Sequence, residues 1–518
     1  MNKFRGTFIG FVALLYLIVI SSLIFIFVYF CNEFWTVLSI LIMTLVVQFF
    51  TGVFIFNNNQ KLEIKLCWLI VVVIFPLLGT LFYVWFGLSH FYIKKWRRYI
   101  NGSYTYIELS KYNFTESFLK NNCEISNIFA YNYSVLKSPI YINNSIKIID
   151  DNINFLKETI SLIRSAKRLI VLETYIFRDS VTARIIITEL LKKRKEGVEI
   201  FVLYDWLPRK KLKMDLIKPM TKVGINVGIF NTPGLYIFKG TTNYRLHTKA
   251  LIVDNQRAIF GGSNYSDEYI MMNKKCNTFR DLNFVISGEI CNSLLVDFFK
   301  IWTSLAKKMN KKKKIKWTKT FIKIYEQNNI HKGNDKILMQ LTHSSPELKE
   351  KTIEQTIISL IFKAKKSIYI AIPYLCPSTK IIDALNYSAL SGVDVKIIVP
   401  GLKEFSRLAL NVNRSYYQTL LKGKCKVYEY NGFIHSKYII VDDNISYIGS
   451  SNIDYRSLWI NFEAMVLIYN KEFNNKVKKV FHDDLLNSKE ITLNNLNQVF
   501  GKKDKCINFF LRLAYPLI

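Results

Sequence analysis

The chain has 518 residues, half of them hydrophobic, and a formal net charge of +32. This length exceeds one typical domain and predicts two or three, while the charge favours a protein that works on a polyanionic surface, either nucleic acid or an anionic membrane. Its 8 cysteines form no CxxC pair and no regular spacing, which argues against a disulfide framework or a zinc site and favours a reducing compartment.

Residues 1–90 hold three apolar segments, at 8–30, 35–56 and 66–88. As a helix, each is long enough to cross a hydrocarbon core of about 30 Å. A cleaved signal peptide is the alternative for the first segment, but the segment is too long for one and no small-x-small cleavage site precedes the second. The sequence therefore predicts transmembrane helices over 1–90, and it favours an anionic membrane over nucleic acid as the partner of the basic surface.

Residues 91–145 are predicted to form a basic interfacial linker, which opens with the cluster Lys94–Arg98 and flanking aromatic residues. The four positive charges of this cluster favour the cytoplasmic side of the membrane. Three spans would then leave Lys3 and Arg5 outside, against the positive-inside tendency, but the later cluster outnumbers them. We expect a multi-pass protein of the cell membrane with its catalytic part in the cytoplasm.

The rest of the chain contains an internal repeat. Ser165–Phe177 matches Lys363–Leu375, each the end of an amphipathic helix followed by an apolar strand. Glu196–Asp205 matches Ser391–Pro400, where a glycine ends a helix and a β-rich strand follows. Two lobes that only look alike are the alternative, but the shared pattern favours duplication.

We therefore predict N-terminal transmembrane helices followed by two duplicated α/β lobes, each a mixed sheet flanked by helices. The predicted boundaries are lobe 1 at 146–306, a polybasic linker at 307–330, lobe 2 at 331–490 and a C-terminal segment at 491–518. The linker is either a solvated spacer or a basic surface held on anionic headgroups, where each charge is worth about 1 kcal/mol.

Each lobe carries one copy of a His-x-Lys-x4-Asp motif that runs on to a glycine-led turn. Two copies with matching downstream spacing are not expected by chance. The motif residues are His247, Lys249 and Asp254, followed by Gly261–Asn264, and His435, Lys437 and Asp442, followed by Gly449–Asn452.

Strand alternation separates these residues by role. Side chains two apart share a face, so His247 and Lys249 point the same way, as do their lobe 2 equivalents, whereas Asp254 and Asp442 lie at an odd offset. Both aspartates fall where the strand meets a turn, so we expect them to hydrogen-bond turn backbone rather than to act as bases.

Asn264 and Asn452 are predicted to bind phosphate. The polar residues around them are suited to open a helix, whose free N–H groups would favour an anion. Two such sets facing each other would enclose one phosphodiester with positive charge, without a metal or a cofactor.

This set of groups predicts covalent chemistry on phosphorus. One imidazole attacks phosphorus while the other protonates the leaving alkoxide and then deprotonates the incoming alcohol. An attacking imidazole needs a carboxylate on its other nitrogen. The candidates are Asp281 and Glu463, which lie at similar offsets downstream of the two histidines, so we expect Asp281 to orient His247 and Glu463 to orient His435.

The paired motifs resemble the signature of the phospholipase D superfamily and, more narrowly, the chain is similar to bacterial cardiolipin synthases over nearly its whole length. The stretches that carry the narrower resemblance are Phe75–Gly87, similar to that family's second membrane segment, Pro373–Pro377, similar to its PY-x-x-P strand, Asn452–Glu463, similar to its N-x-D-x-R-S-x3-N-x-E stretch, and Arg512–Ile518, similar to its ending. The departures are Gly262 where the superfamily has serine, Leu246 before the first motif, and an additional first membrane span.

The resemblance implies a phospholipase D-like fold. It also implies that two phosphatidylglycerol molecules are joined into cardiolipin with release of glycerol, through a phosphatidyl-histidine on His247. It further implies that Asp281 and Glu463 are the orienting carboxylates and that anionic membrane lipids, not nucleic acid, are the partners. Two alternatives remain. One is a membrane-anchored hydrolase of the same fold, a phospholipase D or nuclease; the other is a basic scaffold with degenerate sites, against which two intact motifs argue.

Overall fold

The computed structural model describes residues 33–58, 62–87, 118, 125–208, 214–231, 244–270, 279–305, 333, 335–401 and 407–496. The chain divides into two compact units: one takes in residues 1–93, 235–242 and 512–518, and the other takes in 94–234 and 243–511. The described part of the first unit consists of helices α1 (Glu33–Asn57), α2 (Leu62–Ile74) and α3 (Pro76–Phe86).

Helix α1 contains the stretch Val37–Asn57, and among the described residues this is the one helix long and apolar enough to cross a membrane. It coincides with the expected span at 35–56. The expected first span, at 8–30, lies outside the described residues.

The expected third span, 66–88, is wrong as a single helix. Pro76 has no backbone N–H and occupies the first position of α3, so the chain breaks at Phe75. Helices α2 and α3 then pack against each other, with the rings of Trp68 and Tyr83 5.4 Å apart. At 1.5 Å per residue, α2 is about 20 Å long and so is too short to cross the hydrocarbon core.

The second unit contains two large sheets whose strands follow the same order, which confirms the predicted duplication of α/β lobes with mixed sheets. The lobe 1 sheet runs β2-β9-β7-β6-β3-β4-β5, with β3, β4 and β5 parallel and the other pairs antiparallel. Its strands are β2 (Asn144–Ile149), β3 (Leu169–Thr174), β4 (Glu199–Asp205), β5 (Asn226–Phe230), β6 (Ala250–Val253), β7 (Arg257–Gly261) and β9 (Asn283–Gly288), and its helices are α5 (Asn152–Arg164), α6 (Val181–Lys195), α7 (Met214–Lys222) and α8 (Ile290–Leu305).

The lobe 2 sheet runs β1-β10-β17-β16-β15-β11-β12-β13-β18, so its seven inner strands repeat the lobe 1 order. Its strands are β1 (Ile140–Tyr141), β10 (Leu338–Ser344), β11 (Ser367–Ala371), β12 (Asp394–Pro400), β13 (Lys426–Tyr430), β15 (Tyr438–Val441), β16 (Ile445–Gly449), β17 (Glu463–Tyr469) and β18 (Ser488–Ile491). Its helices are α9 (Thr352–Lys363), α10 (Thr379–Leu390), α11 (Arg407–Lys422) and α12 (Lys471–Leu486).

The segment expected to be a linker, 91–145, has regular structure in its described part. It includes helix α4 (Ser126–Leu136) and β1, and β1 pairs with β10 at the edge of the lobe 2 sheet although it precedes lobe 1 in the chain. The buried amide of Gln340 on β10 donates to the carbonyls of Phe129 and Ser138, which fixes this segment in place. The expected polybasic linker, 307–330, lies outside the described residues.

The local sequence explains how the central strands form. Every residue of β3 is buried, as expected for a strand covered on both faces, and the side chains of Asp151 and Ser180 cap α5 and α6 by accepting from backbone N–H groups. Gly197, at φ +90°, then ends α6 in the left-handed conformation and leads into β4.

Two short backbone pairings join the lobes. Strand β8 (Phe279–Arg280) of lobe 1 runs parallel to β14 (Phe433–Ile434) of lobe 2, and Leu246 forms a parallel bridge with Phe462. A partly buried ion pair between Arg280 Nε and Asp484 Oδ1, at 2.8 Å, reinforces the first pairing. These pairings lie immediately before the residues that the motifs single out.

Candidate active site

The two motifs lie at the start of equivalent strands in the middle of their sheets. His247 and Lys249 lead directly into β6, and His435 and Lys437 lead into β15. Both strands are buried at every residue and paired on both sides, so they give the motif side chains a rigid support.

Each motif histidine is held by a carboxylate from the opposite lobe. His247 Nδ1 lies 2.7 Å from Glu463 Oε1, and His435 Nδ1 lies 2.7 Å from Asp281 Oδ2. Both carboxylates are 1% exposed. Because an ionised carboxylate only accepts, we assign the ring proton of each neutral imidazole to Nδ1, which leaves Nε2 with the lone pair needed for attack on phosphorus.

The expected pairing within each lobe, Asp281 with His247 and Glu463 with His435, is therefore wrong. The two short pairings between the lobes give the reason. The ladder that matches Arg280 with Ile434 brings the next residues, Asp281 and His435, together. The bridge between Leu246 and Phe462 does the same for the other pair, with His247 N donating to the Phe462 carbonyl at 2.9 Å.

The two motif lysines are buried beside the histidines. Each is 2% exposed, and each ammonium donates to the backbone carbonyl of the histidine two residues before it. Burial lowers the pKa of Lys249 to about 7, against the opposing charge of Glu463. Burial likewise lowers the pKa of Lys437 to about 8, against Asp281 and Glu463. Each lysine thus interacts with the carboxylates of both half-sites, which places the two motifs around one centre.

Both imidazoles are neutral in this environment. Burial lowers the pKa of His247 to about 4, with Glu463 acting in the opposite direction. Burial and the neighbouring Lys437 lower the pKa of His435 to about 3, against Asp281. For Glu463, burial would raise the pKa, but His247 and Lys249 outweigh it and keep this carboxyl group ionised.

Aromatic residues that the motif analysis did not single out surround the histidines. His435 packs against the rings of Phe279, Tyr269 and Phe433 at 5.3, 5.4 and 6.0 Å. His247 contacts the ring of Tyr175 at 5.2 Å. The phenylalanines come from β8 and β14, so only knowledge of the pairing between the lobes would have found them.

Asp254 and Asp442 lie away from the histidines and bind backbone. The Asp254 carboxylate accepts from the N–H groups of Lys167, Arg168 and Leu169 at 2.7–2.8 Å. The Asp442 carboxylate accepts from residues 365–367 in the same way, at 2.7–2.9 Å. Each aspartate therefore joins the end of its motif strand to the start of the neighbouring strand, β3 or β11. These hydrogen bonds reach beyond the turn that contains the aspartate.

We expect Asp254→Asn and Asp442→Asn to lower stability more than chemistry. Each loses the charge that three N–H donors share, at a cost of about 2 kcal/mol. The midpoint of thermal unfolding in detergent measures this loss, with Asp443→Asn, a change at an adjacent and more exposed carboxylate, as the control. An unchanged midpoint with turnover abolished would instead assign these aspartates to catalysis.

The glycine-led turns do not open an α-helix, so the expected helix N-termini are wrong. Asn264 is followed by a 3-10 turn (Asp267–Ile270), and Asn452 by a short π-helical turn (Arg456–Ile460). The amide of Asn264 binds Thr174, Ile176 and Tyr269, whereas Oδ1 of Asn452 has no hydrogen-bond partner among the described residues. Phosphate binding by these two asparagines stays a prediction.

Gly262 and Ser450 occupy equivalent positions behind the two carboxylates. A Cβ at Gly262 would collide with the carboxylate of Asp281. The hydroxyl of Ser450 instead donates to Glu463 Oε2 at 2.6 Å. The departure at Gly262 therefore makes room for Asp281, while its counterpart in lobe 2 binds the other orienting carboxylate.

Comparison with known proteins agrees with this geometry. A family model described as "Cardiolipin synthase, PLD-like domain" matches residues 159–302 and 357–485, one stretch in each lobe. A cardiolipin synthase of Halalkalibacterium halodurans is 31% identical over 492 residues, covering 92% of this chain and 93% of that protein. The major cardiolipin synthase of Bacillus subtilis (strain 168) is 30% identical over 449 residues, covering 85% of this chain and 90% of that protein.

Among solved structures, phosphatidylserine synthase from Haemophilus influenzae Rd KW20 covers 76% of this chain and 100% of its own, with a TM-score of 0.57. At 15% identity this likeness shows the fold alone. The family match spans both lobes, and the relatives are similar in length to this chain. The chain therefore belongs to the cardiolipin synthase family, which consists of phosphatidyltransferases of the phospholipase D type.

Proposed function

We propose that this protein is a cardiolipin synthase that transfers a phosphatidyl group from one phosphatidylglycerol to a second, with release of glycerol. The observation that supports it best is the pair of imidazoles, each held through Nδ1 by a buried carboxylate, with two buried lysines beside them. This arrangement supplies a neutral imidazole as nucleophile, a second imidazole that acts as an acid once it takes up a proton on Nε2, and positive charge around one phosphodiester.

The proposed reaction has two displacements at phosphorus. His247 Nε2 attacks the donor and the bond to the glycerol oxygen breaks. His435, which takes up a second proton on Nε2 before this step, gives that proton to the glycerol oxygen. A hydroxyl group of the second phosphatidylglycerol then attacks phosphorus, His435 takes the hydroxyl proton, and the bond to His247 breaks. Lys249 and Lys437 stabilise the negative charge that develops on the non-bridging oxygens.

A hydrolase of the same fold would share the first displacement, with water in place of the lipid alcohol. Purified protein incubated with phosphatidylglycerol in detergent separates the two functions by lipid chromatography. We expect cardiolipin and glycerol in equal amounts. Phosphatidic acid as the main product would support the hydrolase instead.

The pH dependence of kcat/KM should be bell-shaped. An activated phosphodiester has a leaving group that needs no proton, so only the attacking His247 has to be neutral. Its pKa of about 4 makes the rate rise with pH through this region. The lysines lose their protons above about 7 and about 8, so the rate falls there. An activated, soluble phosphodiester allows the profile to be measured, and Lys249→Arg should move the alkaline limb upward. A limb that does not move would exclude Lys249 as its source.

We also propose that the protein is a multi-pass membrane protein in which α2 and α3 form a re-entrant pair rather than a third span. If the segment 8–30 and α1 both cross, an even number of spans returns the chain to the side where it began. Lys3 and Arg5 then lie on the same side as Lys94–Arg98, which satisfies the positive-inside tendency at both ends. The catalytic lobes would lie in the cytoplasm, against anionic lipids.

Thiol labelling in intact cells tests this topology. Trp35→Cys, near the start of α1, should react with an impermeant maleimide, whereas Lys476→Cys, on the exposed surface of α12, should react only after lysis. The native cysteines of the described lobes, Cys291, Cys376 and Cys425, are buried and give a low background. Labelling of residue 476 in intact cells would place the lobes outside.

A further inference from the structure

A synthase that joins two phosphatidylglycerols has to hold two phosphates, which a hydrolase does not. While one phosphate is bound to the motif histidine, the other remains on the acceptor lipid. The glycerol that links them sets their separation at three carbon atoms. If the proposed function is correct, the cleft therefore needs a second cationic group that is close to the motifs but does not belong to them.

The equivalent turns that follow Asn264 and Asn452 differ at one position, where lobe 2 has a cationic residue and lobe 1 does not. Four residues past Asn264 stands Glu268, and four residues past Asn452 stands Arg456. Glu268 is buried and forms an ion pair with Arg178 within lobe 1. Arg456 opens the π-helical turn and is partly exposed. The equivalent positions of the two duplicated turns thus carry an arginine in lobe 2 and a paired glutamate in lobe 1.

Backbone hydrogen bonds connect Arg456 rigidly to the first motif. Asn461 N donates to the Arg456 carbonyl at 2.7 Å, and Phe462 N donates to the Arg245 carbonyl at 2.8 Å. His247 N in turn donates to the Phe462 carbonyl at 2.9 Å. Arg456, although it belongs to lobe 2, is therefore placed by the same segment that supplies Glu463 to His247.

Two tyrosines connect the surroundings of His247 with those of His435. Tyr175 contacts the His247 ring, and burial raises the pKa of its phenol while Arg245 and Arg456 act against that rise. Tyr374 interacts with Tyr175 and packs 6.5 Å from Phe433, a ring beside His435. The charge of Arg456 thus acts on Tyr175, which contacts the histidine of the first motif.

Other groups near the histidines are less suited to bind an anion. His435 packs against Phe279 and Phe433, whose side chains offer no hydrogen-bond donor, and against Tyr269, whose hydroxyl group already accepts from Asn264. Arg245 is 6% exposed, and its Nη1 lies 3.3 Å from the buried Asp205. A guanidinium matches the two oxygens of a phosphate with a planar pair of donors.

We infer that Arg456 binds the phosphate of the acceptor phosphatidylglycerol and so selects a second anionic lipid over a neutral alcohol or water. It acts on the acceptor, not on the covalent step. Loss of Arg456 should therefore spare every reaction in which the acceptor carries no phosphate.

Two assays on the full-length protein in mixed micelles separate these steps. The first is formation of cardiolipin from phosphatidylglycerol. The second is exchange of radiolabelled glycerol into phosphatidylglycerol, which uses the same histidines but a neutral acceptor. Arg456→Gln should lower the first rate by roughly 10- to 100-fold, the effect of one charge-assisted contact, and leave the second within about twofold. Arg456→Lys should fall between, and Lys476→Gln, which removes an exposed charge on α12, should change neither.

Each outcome is decisive. Exchange that falls together with synthesis would assign Arg456 to the shared step or to folding, and synthesis that is unchanged would exclude it as an acceptor contact. Wild-type protein that exchanges glycerol but forms no cardiolipin would contradict the proposed function itself, and this inference with it. Selective loss of synthesis in Arg456→Gln, with exchange retained, supports both.

Discussion

His247→Ala and His435→Ala are each expected to lower turnover by at least ~10³-fold, because nucleophile and acid act as one unit. The measurement is formation of cardiolipin from phosphatidylglycerol by each purified variant. The thermal unfolding midpoint shows whether each variant is folded. A folded variant of either histidine that keeps a near wild-type rate would contradict the two-histidine mechanism.

The same mechanism predicts where the covalent intermediate forms. An activated phosphodiester has a leaving group that needs no proton, so His435→Asn should still allow attack by His247 but slow breakdown of the adduct. The phosphatidyl group should then accumulate on His247, where acid quenching and peptide mapping would locate it. An adduct on His435 in the matched His247→Asn variant alone would reverse the two roles, and no adduct in either would indicate direct displacement.

The sequence predicts best those features that depend on local periodicity. The alternation in the two motifs separates the histidine and lysine from Asp254 and Asp442, and the structure places both aspartates on backbone N–H groups. The repeated strand and helix pattern predicts two equivalent sheets, and the observed strand orders agree over seven strands. In both cases residues close in the chain determine the outcome.

The features that sequence reasoning missed depend on contacts between distant segments. Nothing local indicates that β8 pairs with β14, and this pairing alone brings Asp281 to His435. Similar offsets from the two histidines, 34 and 28 residues, favoured pairing within a lobe, whereas the duplicated lobes exchange their carboxylates across the interface. Hydropathy likewise could not show that the chain folds back at Pro76, because α2 and α3 together are as apolar as one long helix.

Removal of either orienting carboxylate is expected to impair the histidine of the opposite lobe. Glu463→Gln should impair His247 and Asp281→Asn should impair His435, each by roughly 10²- to 10⁴-fold, as expected when an imidazole loses the carboxylate that fixes its tautomer. An activated phosphodiester separates the two effects, because the burst reports attack and the steady state reports breakdown. With His247 as nucleophile, Glu463→Gln slows the burst, while Asp281→Asn keeps the burst and slows the steady state.

The test does not depend on which histidine attacks. Peptide mapping identifies the histidine that carries the adduct, and the variant that slows the burst should be the one whose carboxylate comes from the opposite lobe. Glu472→Gln, at an exposed ion pair on α12, is the control for loss of a carboxylate and should change neither phase. A slow burst caused instead by the carboxylate from the same lobe as the adduct would contradict the exchanged geometry. Agreement would show why one lobe alone lacks a complete half-site, since each histidine depends on the other lobe for the group that orients it.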